Sequence, residues 1–271
     1  MIIAIFGSYE NDTKEGLLMR YGLIGEKLGH SYSKVIHEKL ADYTYDLIPL
    51  AKDELDAFMK AKDFAALNVT IPYKCEIIPY LDELDNNAKR IGAVNTIVND
   101  HGRLIGHNTD FSGFEYMVLH NKIEVKDKKV LVLGIGGASK AIHAVLEHLG
   151  AKEIIMVYRR DTDTAISYET CFQHHLDANV IVNTTPVGMY PNCDASPIDL
   201  SKFDHLSAVL DIIYNPIETS LTKQANSLGI KGITGLEMLV AQAKYAVEFF
   251  LDKKLDESCI DAIYQDIRKT L

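Results

Sequence analysis

Short apolar runs alternate with amphipathic or polar stretches between Lys128 and Gly235, a pattern typical of parallel α/β folding. The predicted strands lie at 130–133, 154–158, 180–182, 208–213 and 231–233. A helix is predicted over 138–149, because apolar residues recur along one of its faces and Gly150 follows as a natural stop. We therefore expect this part of the chain to form one α/β domain.

A second, less regular block of strands and helices precedes this segment. Its predicted strands lie at 21–24, 45–50, 66–71 and 93–98, and a fifth at 103–106 pairs back through a turn at 99–102. Its predicted helices lie at 33–42, 53–60 and 85–91, with a connecting helix at 111–120. After Gly235, a long apolar helix is predicted at 236–251 and a final helix after Asp256. Two terminal helices cannot bury their apolar faces alone, so we expect them to pack on the first block.

The predicted fold class is α/β with two domains. A discontinuous N-terminal α/β domain is expected to comprise 19–110 and 236–271, and 111–235 is expected to form a Rossmann-type domain. Residues 1–18 are predicted to be an appendage, because the segment that opens at Met19 reads like a fresh translation start.

Composition excludes several classes of protein. With 47% hydrophobic and 24% charged residues, the chain is neither disordered nor of low complexity. The formal net charge of −10 argues against a nucleic-acid-binding surface, which needs clustered lysine and arginine. No apolar run approaches the roughly 20 residues of a membrane span, and the start of the chain lacks the basic region of a signal peptide. We therefore expect a cytoplasmic protein that binds neither nucleic acid nor membrane.

The sequence predicts neither a disulfide framework nor a metal site. The cysteines are far apart and form no C-x-x-C pair, so we expect free thiols in a reducing compartment at Cys75, Cys171, Cys193 and Cys259. His174 and His175 are adjacent, and adjacent side chains point to different sides of a helix or strand. They are therefore not expected to bind a metal together.

The most informative segment is 130–141, where a predicted buried strand runs into a glycine cluster and a helix begins at once. Gly134, Gly136 and Gly137 would let backbone N–H groups and a helix N-terminus approach a pyrophosphate. Ser139 stands where the usual G-x-G-x-x-G pattern has its third glycine. The alternative is a tight turn without a ligand. A second predicted strand at βαβ distance favours a dinucleotide site.

That second strand ends in Arg159 and Arg160. A site that selects NAD normally has Asp or Glu there to hold the ribose 2′-hydroxyl, whereas Arg suits a 2′-phosphate. The alternative is that both arginines are solvated loop residues. Together with the glycines, the pair predicts NADP as the cofactor and 111–235 as the NADP-binding domain.

Four polar clusters end apolar runs in the first block, where ligands of α/β sheets usually bind. They are HSYS at 30–33, NVTIPYK at 68–74, GAVNT at 92–96 and GHNTD at 106–110. Each cluster also has a purely structural explanation. The alternatives are helix capping by Ser31 and Ser33, the outer face of an edge strand for Asn68 and Thr70, solvation of Lys74, and an N-cap role for Asp110.

The order of these clusters, with the motifs that follow them, resembles the shikimate dehydrogenase family. The motifs are H-S-x-S, N-V-T-x-P-x-K, G-A-V-N-T, G-x-N-T-D, G-x-G-G-A, N-T-T-P-x-G-M and G-L-x-M-L-V-x-Q-A. The resemblance extends from Tyr21 to about Leu251, and the ordered set is far more specific than any single motif. Serine at both hydroxyl positions of H-S-x-S is closer to shikimate than to quinate dehydrogenases. The resemblance implies an oxidoreductase that reduces 3-dehydroshikimate to shikimate with NADPH, in aromatic amino-acid biosynthesis.

The resemblance also implies roles for individual residues. Lys74 and Asp110 would be the catalytic pair, and Ser31 and Ser33 would bind the substrate carboxylate. Contacts with the substrate, or with groups that order its pocket, are implied for Asn68, Thr70, Asn95, Tyr214 and Gln242. Contacts with the cofactor are implied for Gly134, Gly136, Gly137, Ala138, Arg159, Arg160, Asn183, Thr184 and Gly235.

The chain departs from the family's pattern in the NADP-binding segment. The family commonly has Asn-Arg-Thr with a further Arg close behind, whereas this chain has Tyr158-Arg159-Arg160-Asp161 followed by Asp163. Arg159 is expected to contact the 2′-phosphate, and Arg160 to replace the missing partner. Because nearby carboxylates oppose a phosphate, we expect a looser preference for NADP than is usual in the family.

Other functions stay open at this stage. A quinate/shikimate dehydrogenase that uses NAD is one, although the arginine pair and the twin serines argue against it. A folate- or aminolaevulinate-pathway reductase of similar build would not need the H-S-x-S and N-V-T-x-P-x-K motifs together. A non-catalytic ligand sensor on the same scaffold would be expected to have lost Lys74 or Asp110. The sequence leaves both a monomer and a homodimer open.

Overall fold

The computed structural model describes residues 20–29 and 31–269, which form two six-stranded sheets with helices packed around them. The α/β fold class is therefore confirmed. The predicted appendage at 1–18 lies outside the described residues, as does His30 of the H-S-x-S motif.

Strands and helices follow one another in the alternating order that the hydrophobic pattern predicted. The strands are β1 (Tyr21–Gly25), β2 (Tyr45–Pro49), β3 (Ala66–Val69), β4 (Glu83–Leu84), β5 (Thr96–Asp100), β6 (Arg103–His107), β7 (Lys129–Leu133), β8 (Glu153–Tyr158), β9 (Ile166–Ser167), β10 (Val180–Asn183), β11 (Ala208–Asp211) and β12 (Lys231–Thr234). The helices are α1 (Ser33–Leu40), α2 (Leu55–Ala61), α3 (Asn86–Ile91), α4 (Thr109–His120), α5 (Gly137–His148), α6 (Tyr168–His174), α7 (Ser220–Ser227), α8 (Leu236–Leu251) and α9 (Ser258–Arg268).

The first sheet is mixed and has the strand order β2-β1-β3-β5-β6-β4. β1 pairs in parallel with β2 and β3, whereas β5 is antiparallel to both β3 and β6. β5 and β6 form a hairpin through His101 and Gly102, whose φ angles of 51° and 92° suit a type I′ turn. The predicted turn at 99–102 is thus confirmed.

The second sheet is parallel throughout and has the order β12-β11-β10-β7-β8-β9. Alternate residues of β7 enter different cores. Val130 and Val132 pack on the side of α4 and α5, whereas Leu131 and Leu133 pack on the side of α6 and α7. Because both faces are covered, the strand is a continuous apolar run in the sequence.

Two predicted strands of the first block have wrong ends. The strand predicted at 66–71 ends at Val69, because the chain enters a turn before Pro72. The strand predicted at 93–98 begins only at Thr96, because the N–H of Val94 donates to the carbonyl of Lys74 at 2.8 Å instead of joining the ladder. As a result, Thr70 lies just after the end of β3 and Asn95 just before the start of β5, both outside the strands themselves.

Other predicted ends differ by one or two residues. The strand predicted at 208–213 ends at Asp211, because the N–H of Ile213 turns back to the Asp211 carboxylate at 3.1 Å. α1 ends two residues earlier than predicted, α2 begins two residues later, and α4 begins two residues earlier, at Thr109. β4 and β9 have two residues each and are too short to produce a pattern in the sequence.

The terminal helices pack on the first block, as expected. Ala246 and Phe250 of α8 join the core formed by β1, β2 and β3. α1 and α9 pack against α8 through Ile36 and Ile263. The domain limits of 19–110 with 236–271, and of 111–235, stay a prediction.

Three further observations concern features that the composition and the sequence pattern addressed. The four cysteines are free thiols. The rings of His174 and His175 lie edge to face with centroids 6.5 Å apart. Within 20–29 and 31–269, no helix combines the length and the hydrophobicity that a membrane span requires.

A histidine is buried in the first block. The ring of His37 stacks on Tyr45 with centroids 4.0 Å apart, and its Nδ1 lies 2.8 Å from the hydroxyl of Tyr43. His37 is fully buried, and burial lowers its pKa to about 3. The folded state therefore holds a neutral imidazole, whereas the unfolded chain takes up a proton below about pH 6.5.

We predict that His37 makes the fold less stable in acid. Because the folded pKa is depressed, its stabilisation is complete above about pH 6.5 and is lost as the pH falls toward 3. Between pH 7.5 and 5.0 this amounts to about 2 kcal/mol. Urea unfolding at both pH values should show that His37→Phe, which keeps an aromatic ring against Tyr45, loses less stability on acidification than the wild type. Equal losses in the two proteins would contradict the prediction.

Candidate active site

The cofactor side of the site begins where β7, β8 and β10 end. These strands are parallel and adjacent, so their carboxyl ends lie side by side at one edge of the second sheet. The glycine turn follows β7, the arginine pair follows β8, and the N-T-T-P segment begins at the end of β10. Three segments that are far apart in sequence therefore meet at this edge.

The glycine turn needs its first glycine for conformational reasons. Gly134 has φ of +104°, and a Cβ at this position would lie 2.7 Å from Oγ1 of Thr184. Among the described residues, a Cβ on Gly136 would meet nothing within 4 Å, so the turn is open to a ligand on that side. α5 begins at Gly137 without a side-chain cap, which leaves backbone N–H groups of its first turn available to an anion.

Ser139 takes the place of the third glycine without opening the turn. Its side chain is buried, and its hydroxyl donates to the carbonyl of Gly136 at 2.6 Å. Ala138 lies between Gly137 and Ser139 in the first turn of α5. The departure from the usual glycine pattern is therefore compatible with a tight phosphate turn.

Asn183 and Thr184 hold the neighbouring segment in place. The Asn183 side chain is buried and donates to Asp211, while its oxygen accepts from the N–H and the hydroxyl of Thr185. Thr184 donates to the carbonyl of Leu133 at 2.7 Å. Burial raises the pKa of Asp211 to about 6, against three hydrogen bonds that favour the charged form. In this structure Asn183 orders the turn through bonds within the protein.

Arg159 and Arg160 are exposed at the end of β8. The guanidinium carbon of Arg159 lies 5.2 Å from the centroid of the Tyr158 ring. Within the part of the chain that the structure describes, neither arginine pairs with a carboxylate. Two cations without a counter-charge at this edge are available to an anionic ligand.

The other side of the site contains an ion pair between Lys74 and Asp110, the two residues that the sequence analysis expected to be catalytic. Nζ of Lys74 lies 2.5 Å from Oδ2 of Asp110, and the two side chains are 14% and 10% exposed. Lys74 follows β3 in a turn, and Asp110 lies in the first turn of α4, where the helix dipole favours a carboxylate. Lys74 is therefore not simply solvated, which excludes one structural alternative.

The capping role that was considered for Asp110 belongs to Asn108. The Asn108 side chain accepts from the N–H of Phe111 and donates to the carbonyl of Ala93. Because the Asn108 side chain accepts the hydrogen bond at the start of α4, the carboxylate of Asp110 is not needed as a cap and can turn toward Lys74. The structural alternative for Asp110 was wrong.

Asn95 fixes the other oxygen of that carboxylate. Its Nδ2 lies 3.0 Å from Oδ1 of Asp110 and 3.1 Å from Oγ1 of Thr109. Its Oδ1 accepts from the N–H of Thr109 at 2.7 Å. Asn95 is buried, so the bond to Asp110 is sheltered from water. Each oxygen of Asp110 thus has one protein partner.

Asn68 continues this network into the core. Its Oδ1 accepts from the hydroxyl of Tyr45 at 2.7 Å, and its Nδ2 donates to the carbonyl of Asn95 and to Oγ1 of Thr96. β3 lies between β1 and β5, so Asn68 is not on an edge strand as the structural alternative supposed. The Asn68 amide is fully committed to protein groups and orders the pocket.

The remaining substrate-side residues have few internal partners. Ser31 accepts from the N–H of Ser33 at 3.2 Å, although the residue at the N-cap position of α1 is Tyr32. Ser33 is buried, whereas Ser31 and Thr70 are partly exposed. Within the described residues, the side-chain hydroxyl of Thr70 makes no hydrogen bond. Ser31 and Thr70 can therefore offer hydroxyl groups to a ligand.

Tyr214 and Gln242 approach from the C-terminal part of the chain. The Tyr214 ring meets Tyr32 edge to face at 6.0 Å, which connects it to the H-S-x-S segment. Burial raises the pKa of Tyr214, so its hydroxyl stays protonated. Gln242 lies on α8 and donates to the carbonyl of Leu239. Gly235 precedes α8, and a Cβ there would lie 2.1 Å from the carbonyl oxygen of Ile212, so close backbone packing requires a glycine at this position.

The Lys74–Asp110 ion pair and the glycine turn are in contact. A Cβ built on Gly137 would lie 3.7 Å from Cδ of Lys74, so the lysine stem passes over the start of α5. The structure therefore brings together the glycine turn and the Lys74–Asp110 pair. Asn95 and Asn68 support that pair from within the first sheet.

Sequence reasoning missed several residues that hold this arrangement. Thr96 and Thr109 belong to motifs identified in the sequence, yet their hydroxyl groups, 3.2 Å apart, act between Asn68 and Asn95. Asp211 could have been noticed as an acidic residue that ends an apolar strand. Tyr45 carried no signal that distinguished it from core.

One group of potential metal ligands lies at the other end of α4. In the described residues, His120, Glu237 and Asp261 place ligand atoms within 4.8 Å of one another. Nδ1 of His120 is 2.6 Å from Glu237, whereas Nε2 is 3.9 Å from Asp261. The hydrogen bond that His120 donates to the Glu237 carboxylate raises the pKa of His120. The two ring nitrogens of His120 face different carboxylates, which is the arrangement expected when a protonated imidazole pairs with both.

Comparison with known proteins agrees with this geometry. Residues 23–97 match the family described as the shikimate dehydrogenase substrate binding domain. Shikimate dehydrogenase (NADP(+)) from Clostridium beijerinckii is 38% identical over 259 residues, which cover 90% of this chain and 96% of that protein.

Solved structures are similar along nearly the whole chain. The chorismate mutase/shikimate 5-dehydrogenase fusion protein from Clostridium acetobutylicum has a TM-score of 0.87 at 38% identity, covering 93% of this chain and 98% of that chain. Shikimate 5-dehydrogenase from Thermus thermophilus, in complex with NADP(H) and shikimate, has a TM-score of 0.82 at 28% identity. The match covers 92% of this chain and 99% of that chain. Similarity of this extent shows that the chain belongs to the shikimate dehydrogenase family.

Proposed function

We propose that this protein catalyses the reversible NADPH-dependent reduction of 3-dehydroshikimate to shikimate. The observation that carries the proposal is the sheltered Lys74–Asp110 ion pair beside the glycine turn. A ketone reduction needs a proton donor and a positive charge next to the carbonyl oxygen, and an ammonium supplies both.

The residues at the edge of the second sheet fit NADP. Gly134, Gly136 and Gly137, with Ala138 behind them, would hold the pyrophosphate at the start of α5. Arg159 would bind the 2′-phosphate, with Arg160 as its second cation. Asn183, Thr184 and Gly235 would shape the wall near the ribose and the nicotinamide. NADPH, when bound, supplies the hydride that reduces the carbonyl carbon.

Lys74 would act as the proton donor. As the carbonyl carbon is reduced, negative charge develops on its oxygen, and Nζ of Lys74 transfers a proton to that oxygen to complete the hydroxyl group. The neutral amine then regains its proton from solvent. One proton and one hydride are thus consumed for each ketone reduced to an alcohol.

Asp110 would orient the ammonium and hold a neighbouring ring hydroxyl. Its Oδ2 faces Lys74 while Oδ1 is fixed by Asn95, so the carboxylate cannot rotate without breaking a sheltered hydrogen bond. Because its hydrogen-bond partner is fixed, Nζ of Lys74 is held in one position. The geometry of proton transfer is then set before the substrate arrives.

The substrate would be recognised by neutral hydrogen-bond groups. Ser31 and Ser33 would bind the carboxylate, and Thr70, Tyr214 and Gln242 would contact the ring hydroxyls. Asn68 and Asn95 would order the pocket, since their amides are committed to protein groups. A site built from several such bonds rejects analogues that lack one hydroxyl.

Two alternatives define what has to be tested. A broad quinate/shikimate dehydrogenase would use NAD, and a non-catalytic sensor would bind ligand without turnover. The unpaired arginines favour NADP, and the intact Lys74–Asp110 pair favours catalysis. Whether the protein is a monomer or a homodimer stays a prediction.

The first prediction of the proposed function is tested by a spectrophotometric assay of the purified protein with shikimate or quinate and with NADP or NAD. We expect the shikimate–NADP combination to have the highest kcat/KM. A higher kcat/KM with NAD would defeat the cofactor assignment, preference for quinate would defeat the substrate assignment, and silence in every combination would favour a sensor.

The second prediction concerns the proton donor. Lys74→Ala should lower kcat by roughly 10²- to 10⁴-fold, because general acid catalysis contributes about that much. NADP binding, measured by calorimetry, should be nearly unchanged. Lys60→Ala, which removes an exposed lysine from α2, is the matched control and should keep full activity. Undiminished turnover in Lys74→Ala would remove this lysine from the chemistry.

The third prediction concerns the 2′-phosphate. Arg159→Ala should raise KM for NADP and leave KM for NAD almost unchanged, because NAD lacks that phosphate. Arg90→Ala, which removes an exposed arginine from α3, is a suitable control. A parallel rise in both constants would indicate a structural effect of Arg159 and would argue against phosphate binding.

A further inference from the structure

The loop that carries the arginine pair is closed by its own side chains. It leaves β8 after Tyr158 and returns as β9, which pairs in parallel with the end of β8. Thr162 accepts from the N–H of Ala165 at 3.0 Å and closes a tight turn between them. The loop then leads directly into α6, whose N-cap is Ser167.

Asp161 joins the two ends of this loop. Its Oδ1 accepts from the N–H of Ser167 at 2.7 Å and from the hydroxyl of Thr170 at 3.0 Å. The Ser167 hydroxyl in turn caps α6 through the N–H of Thr170. Asp161, which directly follows the arginines, is therefore hydrogen-bonded to the first turn of α6, and α6 packs on the second sheet.

The carboxylate of Asp161 is not paired with either arginine. Both guanidinium groups lack a carboxylate partner within the described residues, although Asp161 follows Arg160 directly in sequence. The hydrogen bond from the Ser167 N–H lowers the pKa of Asp161, in keeping with a charged acceptor committed to the loop. The Asp161 carboxylate thus faces Ser167 and Thr170 at the start of α6.

We propose that Asp161 is a positioning residue that holds Arg159 and Arg160 in place for the 2′-phosphate of NADP. The inference rests on the proposed function and reverses the expectation that this acid loosens the preference for NADP. The hydrogen bonds that Asp161 accepts from Ser167 and Thr170 restrain the loop backbone next to the arginines, so less backbone ordering is required when the phosphate binds. Asp163, which makes no such bond in the described loop, has no comparable role.

The experiment compares three variants by isothermal titration calorimetry with NADP and with NAD. Asp161→Ala removes the acceptor and should weaken NADP binding roughly three- to tenfold, as expected for a net loss of one or two hydrogen bonds. NAD binding should stay within about twofold. Asp161→Asn keeps an acceptor oxygen but removes the charge, so it should bind NADP at least as tightly as the wild type. Asp163→Ala is the control for loss of a negative charge and should not weaken NADP binding.

The competing hypothesis, that Asp161 repels the phosphate, predicts the opposite sign. Tighter or unchanged NADP binding in Asp161→Ala would overturn the proposal. Equal weakening in Asp161→Ala and Asp161→Asn would also overturn it, because charge and not the acceptor bond would then matter. Equal weakening of NADP and NAD would indicate a general loss of structure and count against the proposal.

The calorimetric readout separates this inference from the proposed function. If the wild type binds NADP but does not oxidise shikimate, the proposed reaction fails while the role of Asp161 is still measured. If the wild type turns over shikimate with NADP and Asp161→Ala binds NADP normally, only the inference fails. Thermal unfolding of each variant, followed by circular dichroism, shows whether the protein is folded in the titration.

Discussion

The site depends on keeping an ammonium and a carboxylate in a place where water reaches both only poorly. Lys74 and Asp110 are each little exposed, and an unpaired charge at such a position would be strongly destabilising. Neighbouring groups stabilise the charge of Asp110. Asn95 donates a hydrogen bond to one carboxylate oxygen, and the dipole of α4 favours a carboxylate in its first turn. A buried pair of this kind adds little to stability, so its value in the proposed reaction lies in a fixed orientation of the Lys74 ammonium.

Much of the first sheet serves this orientation. Hydrogen bonds connect Tyr45 to Asn68, Asn68 to Thr96, and Thr109 to Asn95, ending at the carboxylate of Asp110. Members of such a network support one another because each buried amide has partners on both sides. On the cofactor side, Asn183 and Asp211 play the same part for the turn after β10.

The elements with strong periodicity were predictable because burial on two faces imposes a simple pattern. β7 and α8 were predicted almost to the residue, and the order of α and β elements followed from alternation of apolar runs. Ends were predicted less well where a side chain replaces a ladder or helix bond, as at Asp211 and Asn108. β4 and β9 are fixed by neighbouring strands and have no pattern of their own.

By itself, the sequence determined the α/β architecture, the glycine turn, the arginine pair and the motifs that assign the chain to its family. These are local features, set by hydrophobic period and by residue types at fixed spacing. The partner of each polar side chain was decided only by the tertiary structure. Asp110 faces Lys74 and Asn95 because the fold brings together side chains from elements that are separate in sequence. Asp161 faces Ser167 and not the arginines because the loop after β8 turns back on itself over six residues.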